Sequence, residues 1–289
     1  MTVPALLLVL TAALIHASWN LLAKQAADAL AFLWGAMLAS SILFAPIALW
    51  LGLLQPIPPH GWGIVLLTSL FETAYFWFLG HAYRSGDLSL VYPVIRGISP
   101  LVTPVLGVLL LGERLSASAV LGIVLVVSGI LVAHLTGFNW ATVSRLARAL
   151  EAPATRYALA SGICTAAYSI IDKVGVSVVL VPLYTYLLYL GATIGVGCLL
   201  LPRHSRAVVA EWRRNSSRVL VVGILGPLTY GLVLWALTFT PVSYVAPARE
   251  VSVVIAALLG AMVLGEAYGV QRITGSVLIG SGVIFLAAG

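Results

Sequence analysis

Val91-Tyr92-Pro93-Val94-Ile95-Arg96-Gly97-Ile98-Ser99-Pro100, running on through an apolar stretch into Leu111-Gly112-Glu113-Arg114, decides how the chain is read, because most of it occurs twice. Its echo spans 245–267. Pro93 is answered by Pro247, Arg96 by Arg249, Ser99 by Ser252, and Leu111-Gly112-Glu113 by Leu264-Gly265-Glu266, with the register slipping one residue between proline and arginine. Each copy sets a helix breaker and then an arginine into apolar sequence, continues as a helix and ends in a tight Gly-Glu turn. A second helix follows in both, with glycines seven residues apart at Gly122 and Gly129, and at Gly275 and Gly282.

The rest of the chain supplies the setting. Of 289 residues 61% are hydrophobic and 8% charged, and the mean hydropathy is +1.09. A soluble domain carries about a quarter charged residues, so this is an integral membrane protein. Its apolar runs suit helices of roughly 20 residues, and no alternating strand pattern suggests a barrel. The spans leave little room for a soluble catalytic domain. The excess positive charge sits mainly between spans, which marks membrane orientation and not nucleic-acid binding. Cys164 and Cys198 fall inside apolar segments and read as small buried residues. The first apolar run lacks a basic start and leads straight into further spans, so no removable signal peptide is expected.

Runs and breaks predict about ten helices, at 4–23, 30–53, 61–83, 88–111, 118–136, 157–175, 181–201, 219–240, 242–264 and 270–287. The longer connections lie around 137–156 and in the Arg-rich 202–218. The first of these divides the chain into two five-helix halves, 1–140 and 155–289. His16-Ala17-Ser18-Trp19-Asn20 through Lys24 in the first helix resembles Thr165-Ala166-Ala167-Tyr168-Ser169 through Lys173 in the sixth, so the repeat reaches beyond the opening motif. An odd number of spans per repeat inserts the second copy upside down. The expected fold is all-α: ten transmembrane helices as two inverted five-helix repeats around a central cavity, with interrupted helices marking the binding site. Connections after the odd-numbered helices hold Lys24, Arg84, Arg145, Arg148, Arg156, Arg203, Arg206, Arg213, Arg214, Arg218 and Arg272, against Arg114 and Lys173 in the others. The positive-inside rule makes the first set cytoplasmic and places both termini outside.

Ionisable groups at membrane depth face a cavity or a partner, and His16, Glu72, Arg96, Arg249 and Glu250 are the candidates. Glu72, mid-way along the third helix, reads either as a proton-coupling carboxylate or counter-charge for a cationic substrate, or as a structural ion pair with Arg96. Its repeat counterpart is Gly226. Arg96 and Arg249 can grip a carboxylate or phosphate bidentately. Alternatively they tie the broken helices to free carbonyls, or Arg249 is held by a carboxylate. His16 reads as a packing histidine or as a proton relay with Glu72. Around these charges Trp19, Asn20, Tyr75, Tyr92, Tyr168 and Tyr230 supply an aromatic and polar wall suited to flat apolar groups or organic cations. The competing reading of any one aromatic is an interfacial belt. Lys24 and Lys173 read as snorkelling cations, Glu113 and Glu266 as gate or turn residues, and Gly191 and Gly195 as a close-packing face. No metal, nucleotide or catalytic motif occurs, so no cofactor is expected.

Two halves whose Pro-containing fourth helix ends in Leu-Gly-Glu and whose fifth carries glycines resemble the drug/metabolite transporter superfamily, in its ten-helix EamA-type branch. The likeness covers nearly the whole chain. It implies a basket of two inverted repeats around a cavity, and export of amino acids, including aromatic ones, or of other small metabolites and drugs. Relatives are often drawn with both termini in the cytoplasm, opposite to the charge count. The expectation is therefore a secondary active transporter in a bacterial inner membrane, exporting amino acids or related metabolites by alternating access. Its partners would be a small-molecule substrate and the bilayer, without nucleic acid, and it would be a monomer or homodimer. Efflux of cationic or aromatic drugs, a passive facilitator, and an intramembrane lipid-modifying enzyme are the alternatives.

Overall fold

Proline positions and span length shape the helices. The computed structural model describes residues 1–85, 88–133, 152–264 and 269–289, with the side chains of 83–93 and 264 outside that description. The described helices are α1 (Val3–Ala23), α2 (Ala29–Leu43), α3 (Ala45–Leu54), α4 (Pro59–Ser85), α5 (Leu88–Leu111), α6 (Ala117–Ala133), α7 (Pro153–Gly175), α8 (Val181–Phe239), α9 (Val242–Ala248), α10 (Val251–Leu264) and α11 (Val270–Ala288). A proline in the first turn starts α1, α7 and α8, where its missing N–H would have had no partner anyway. The predicted 30–53 helix is two, α2 and α3, bent by 50°. Pro46, in the first turn of α3, has no amide with which to continue the ladder of α2.

The 59 residues of α8 would extend about 88 Å at 1.5 Å per residue, about three times the hydrocarbon thickness. Non-helical torsions at His204 and Asn215 resolve this by dividing it into two spans and a linking helix at 205–214. The sequence predicts a connection here, because the stretch is Arg-rich and not apolar. Val209 and Trp212 are exposed while Glu211 is buried, accepting hydrogen bonds from the Asp28 amide at 2.9 Å and from Asn215 at 2.8 Å. The link thereby pins the turn between α1 and α2. The predicted 242–264 span is interrupted at Arg249–Glu250, between α9 and α10. Among the described residues six helical stretches are long and apolar enough to cross a membrane, α9 and α10 together counting as one. The bent α2–α3 pair, the shorter α6, the second pass of α8, and α7, diluted by Arg156, Asp172 and Lys173, complete ten spans. Leu53, Met262, Ile284 and Val270 are largely exposed, as a surface facing lipid tails allows.

The inversion is visible in one helix pair. A Cβ on Gly122 would lie 2.7 Å from the Gly282 carbonyl, and one on Gly129 2.7 Å from that of Gly275. Seven residues forward on α6 are thus seven backward on α11, so the matching helices of the two repeats run antiparallel. Only glycine permits so close a backbone approach. A second link joins the halves. Gly112 adopts φ +66, the left-handed conformation glycine tolerates, and turns the chain so that Glu113 caps α9. Its carboxylate accepts from the amides of Val242 at 2.8 Å and Ser243 at 2.9 Å, and from the Ser243 hydroxyl at 2.5 Å. Gly265, Glu266 and the connection around 137–151 lie outside the described residues.

Candidate functional site

All the spans except α6 and α11 line a central cavity of about 1800 Å³, counted to its open mouth. One interrupted span and one helix that runs unbroken past Pro93 position its arginines. Arg249 closes α9, where the backbone carbonyl of Val245 still accepts its amide at 3.1 Å, and Arg96 projects from α5 of the other repeat. Both reach the cavity wall, as do His16, Trp19 and Asn20 of α1, Glu72 and Tyr75 of α4, Tyr168 of α7 and Tyr230 of α8. The structure thus gathers the sequence-selected residues around one void, apart from Tyr92, whose side chain is outside the described residues.

The charges are not paired as the sequence reading weighed. Arg96 pairs with Glu250, Nη2 to Oε2 at 3.1 Å, and donates to the Ser252 hydroxyl at 3.0 Å. Glu250 Oε2 has no hydrogen bond, so the pair is close in charge but out of line with the N–H. Glu72 makes no ion pair or hydrogen bond among the described residues, and its carboxylate faces the cavity. Arg249 is likewise without an ion pair there, and its guanidinium stands 5.3 Å from the centre of the Tyr230 ring, a cation–π distance. Aromatic rings connect these groups edge to face: Tyr75 to Tyr168 at 6.2 Å, Tyr168 to Tyr230 at 6.5 Å, and His16 to Trp19 at 4.7 Å. The indole N–H of Trp19 is buried without a partner, an unmet donor of the kind a ligand satisfies.

Behind Tyr230 the structure shows a residue the sequence reading passed over. Asp172 is fully buried and accepts hydrogen bonds from Thr68, Tyr184 and Tyr230. In sequence it adjoins Lys173 near a helix end, where charged residues are ordinary, so nothing there sets it apart. Lys173 does not snorkel; its ammonium donates to the carbonyls of Leu237 at 2.5 Å and Thr240 at 3.1 Å, closing the end of α8. Tyr189, Ser99 and Thr229 also line the cavity; the repeat of Ser99 at Ser252 marks it in the sequence, whereas nothing there separates Tyr189 from a belt tyrosine or Thr229 from a packing hydroxyl. Gly191 and Gly195 do make a close-packing face, against Ser69 and Thr73 of α4. Among the described residues no group of His, Cys, Asp or Glu is placed to hold a metal.

Comparison with known proteins agrees with this architecture. A solved structure titled "Crystal structure of protein" shares the fold with a TM-score of 0.72 at 19% identity, covering 98% of this chain and 97% of the other. No curated protein sequence matches. The sequence profile of the EamA-like transporter family, part of the drug/metabolite transporter superfamily, matches both halves, at 3–135 and 154–288. The chain is therefore an integral membrane protein that belongs to the EamA-like transporter family, whose members carry small metabolites across the bilayer.

Proposed function

We propose that the protein is a secondary active exporter of amino acids, aromatic ones included, or of closely related zwitterions, working by alternating access in a bacterial inner membrane. The observation that carries this reading is the charge pattern of the cavity. Glu72 and Arg249, of opposite sign and without ion-pair partners among the described residues, face the same void, while Arg96 and Glu250 neutralise each other. A zwitterion presents an ammonium to the first and a carboxylate to the second. The fork of Arg249 suits a carboxylate, the Trp19 indole offers a further donor, and the Tyr75, Tyr168 and Tyr230 rings suit a flat side chain. A purely cationic drug would leave Arg249 opposed, so efflux of cations ranks second, supported by Glu72 alone. Inverted repeats joined at Glu113 and at the glycine seam support rocking of the halves about the cavity.

The test is uptake into proteoliposomes of labelled aromatic and aliphatic amino acids and of organic cations, with and without an imposed pH gradient. Saturable amino-acid transport that Glu72→Gln and Arg249→Ala each abolish is the expected result. Transport of cations alone, undiminished in Arg249→Ala, would refute the zwitterion reading.

A further inference from the structure

Asp172 has an environment the cavity alone does not explain. It is wholly buried and does not line the cavity, whereas its partner Tyr230 does. Oδ1 accepts from the Thr68 hydroxyl at 2.6 Å and the Tyr184 hydroxyl at 2.8 Å, and Oδ2 accepts from the Tyr230 hydroxyl. The donors come from α4 and from both spans of α8, and Asp172 itself from α7, so the cluster joins four spans. Among the described residues no cation is paired with the carboxylate. Lys173 turns to backbone carbonyls, and Arg249 lies over the Tyr230 ring. Tyr168 of α7 stands ring to ring with Tyr230 at 6.5 Å, Glu72 of α4 feels the charge of Asp172, and both, with Tyr189 of α8, are on the cavity wall.

We propose that Asp172 is a proton-binding site and that Tyr230 reports its state to the cavity. With the carboxylate ionised, the three hydroxyls all point their hydrogens at it, and the donors substitute for the missing counter-ion. Oδ1 already has two donors, so an incoming proton goes to Oδ2, which has one. The new O–H then donates to the Tyr230 oxygen, and the phenolic hydrogen rotates about its C–O bond toward the cavity. One proton is gained, one hydrogen bond reverses direction, and no covalent bond to carbon changes. In the protonated state the cavity therefore acquires a donor it lacks in the ionised state. A hydrogen-bond acceptor facing Tyr230 in the cavity favours the protonated state, and by reciprocity protonation favours its binding. The site rests on the cluster's geometry, whichever substrate is carried and in whichever direction.

Infrared difference spectra of the purified protein in micelles, recorded between about pH 5 and pH 8 with hydrogen–deuterium exchange, test the site without any substrate. Failure of the amino-acid reading thus leaves the measurement intact. The expected result is a protonated-carboxyl C=O band that titrates in the wild-type chain and in Glu72→Gln and is lost in Asp172→Asn. The asparagine keeps an acceptor for Thr68 and Tyr184 and offers its amide N–H to Tyr230, so the variant mimics the protonated cluster and should fold. In Tyr230→Phe the band should persist but shift, because its acceptor is gone. Absence of a titrating band, its persistence in Asp172→Asn, or its loss in Glu72→Gln would overturn the assignment. An unshifted band in Tyr230→Phe would overturn the role given to Tyr230, and these last two results do not depend on whether Asp172→Asn folds.

Discussion

Replacing Glu113 by alanine removes the acceptor of three hydrogen bonds at once, two from backbone amides and one from the Ser243 hydroxyl. The seven-residue α9 has no side-chain cap of its own at Pro241, so the amides of Val242 and Ser243 lose their partner. A hydrogen bond to a charged group contributes about 1.5–3 kcal/mol. Glu113 is only half-buried, so water recovers part of that, and a net loss of about 3 kcal/mol is expected for Glu113→Ala and about 1 kcal/mol for Glu113→Gln, which keeps one acceptor. Gly107 offers an independent approach to the same place: an added Cβ would stand 2.4 Å from the Ser243 hydroxyl and 2.7 Å from a Glu113 carboxylate oxygen. Gly107→Ala should cost about 1–3 kcal/mol by overpacking, and combining it with Glu113→Ala should cost less than the two together, since both loosen one contact. Equilibrium unfolding in mixed micelles, followed by tryptophan fluorescence, measures these differences against the exposed Arg114→Ala. If Glu113→Ala unfolds within about 0.5 kcal/mol of that control, the clasp does not hold the halves together and the account of the Leu-Gly-Glu turn is wrong.

Other perturbations follow from the same contacts. Gly129→Ala places a methyl 2.7 Å from the Gly275 carbonyl and 2.9 Å from the Ile279 amide; these backbone atoms must move apart, and unfolding should show a loss of about 1–3 kcal/mol. Lys173→Met strips the end of α8 of its donor to Leu237 and Thr240, with an expected loss of about 1–2 kcal/mol in the same assay. Arg96→Met leaves Glu250 buried without its counter-charge and should cost about 3–5 kcal/mol, much of it regained in Arg96→Met/Glu250→Gln. Arg249→Lys keeps the charge but loses the fork, and should raise KM for a transported amino acid about tenfold, or by about 1.4 kcal/mol of binding, with little change in unfolding.

Much of the membrane architecture could be read directly from residue order. Segment limits came within a few residues because bilayer thickness and helix rise are the same for every span. The bend at Pro46 and the helix at 205–214 are hidden in the sequence for different reasons. An apolar run with an internal proline still scores as one span, and an amphipathic interfacial helix scores as none. The cavity residues were found because a charge or tyrosine among apolar neighbours stands out. Which of them pair does not follow from order along the chain: Glu72 is an equally good partner for Arg96 in sequence, yet Arg96 meets Glu250. Lys24 and Lys173 look equivalent in the repeat, but Lys24 is exposed while Lys173 is bonded to the end of α8.

By itself the sequence determined what depends on neighbours along the chain: that the protein lives in a bilayer, where spans start and break, and that one unit was used twice. Backbone hydrogen bonds in lipid close within a segment, so local residue chemistry is sufficient for that. The tertiary structure decided which distant groups meet, such as Glu113 with Ser243, Gly122 with Gly282, and Asp172 with Thr68, Tyr184 and Tyr230. Those contacts depend on the rotation and packing of one span against another. Many span arrangements bury the same apolar surface, and close backbone approach and polar satisfaction select among them.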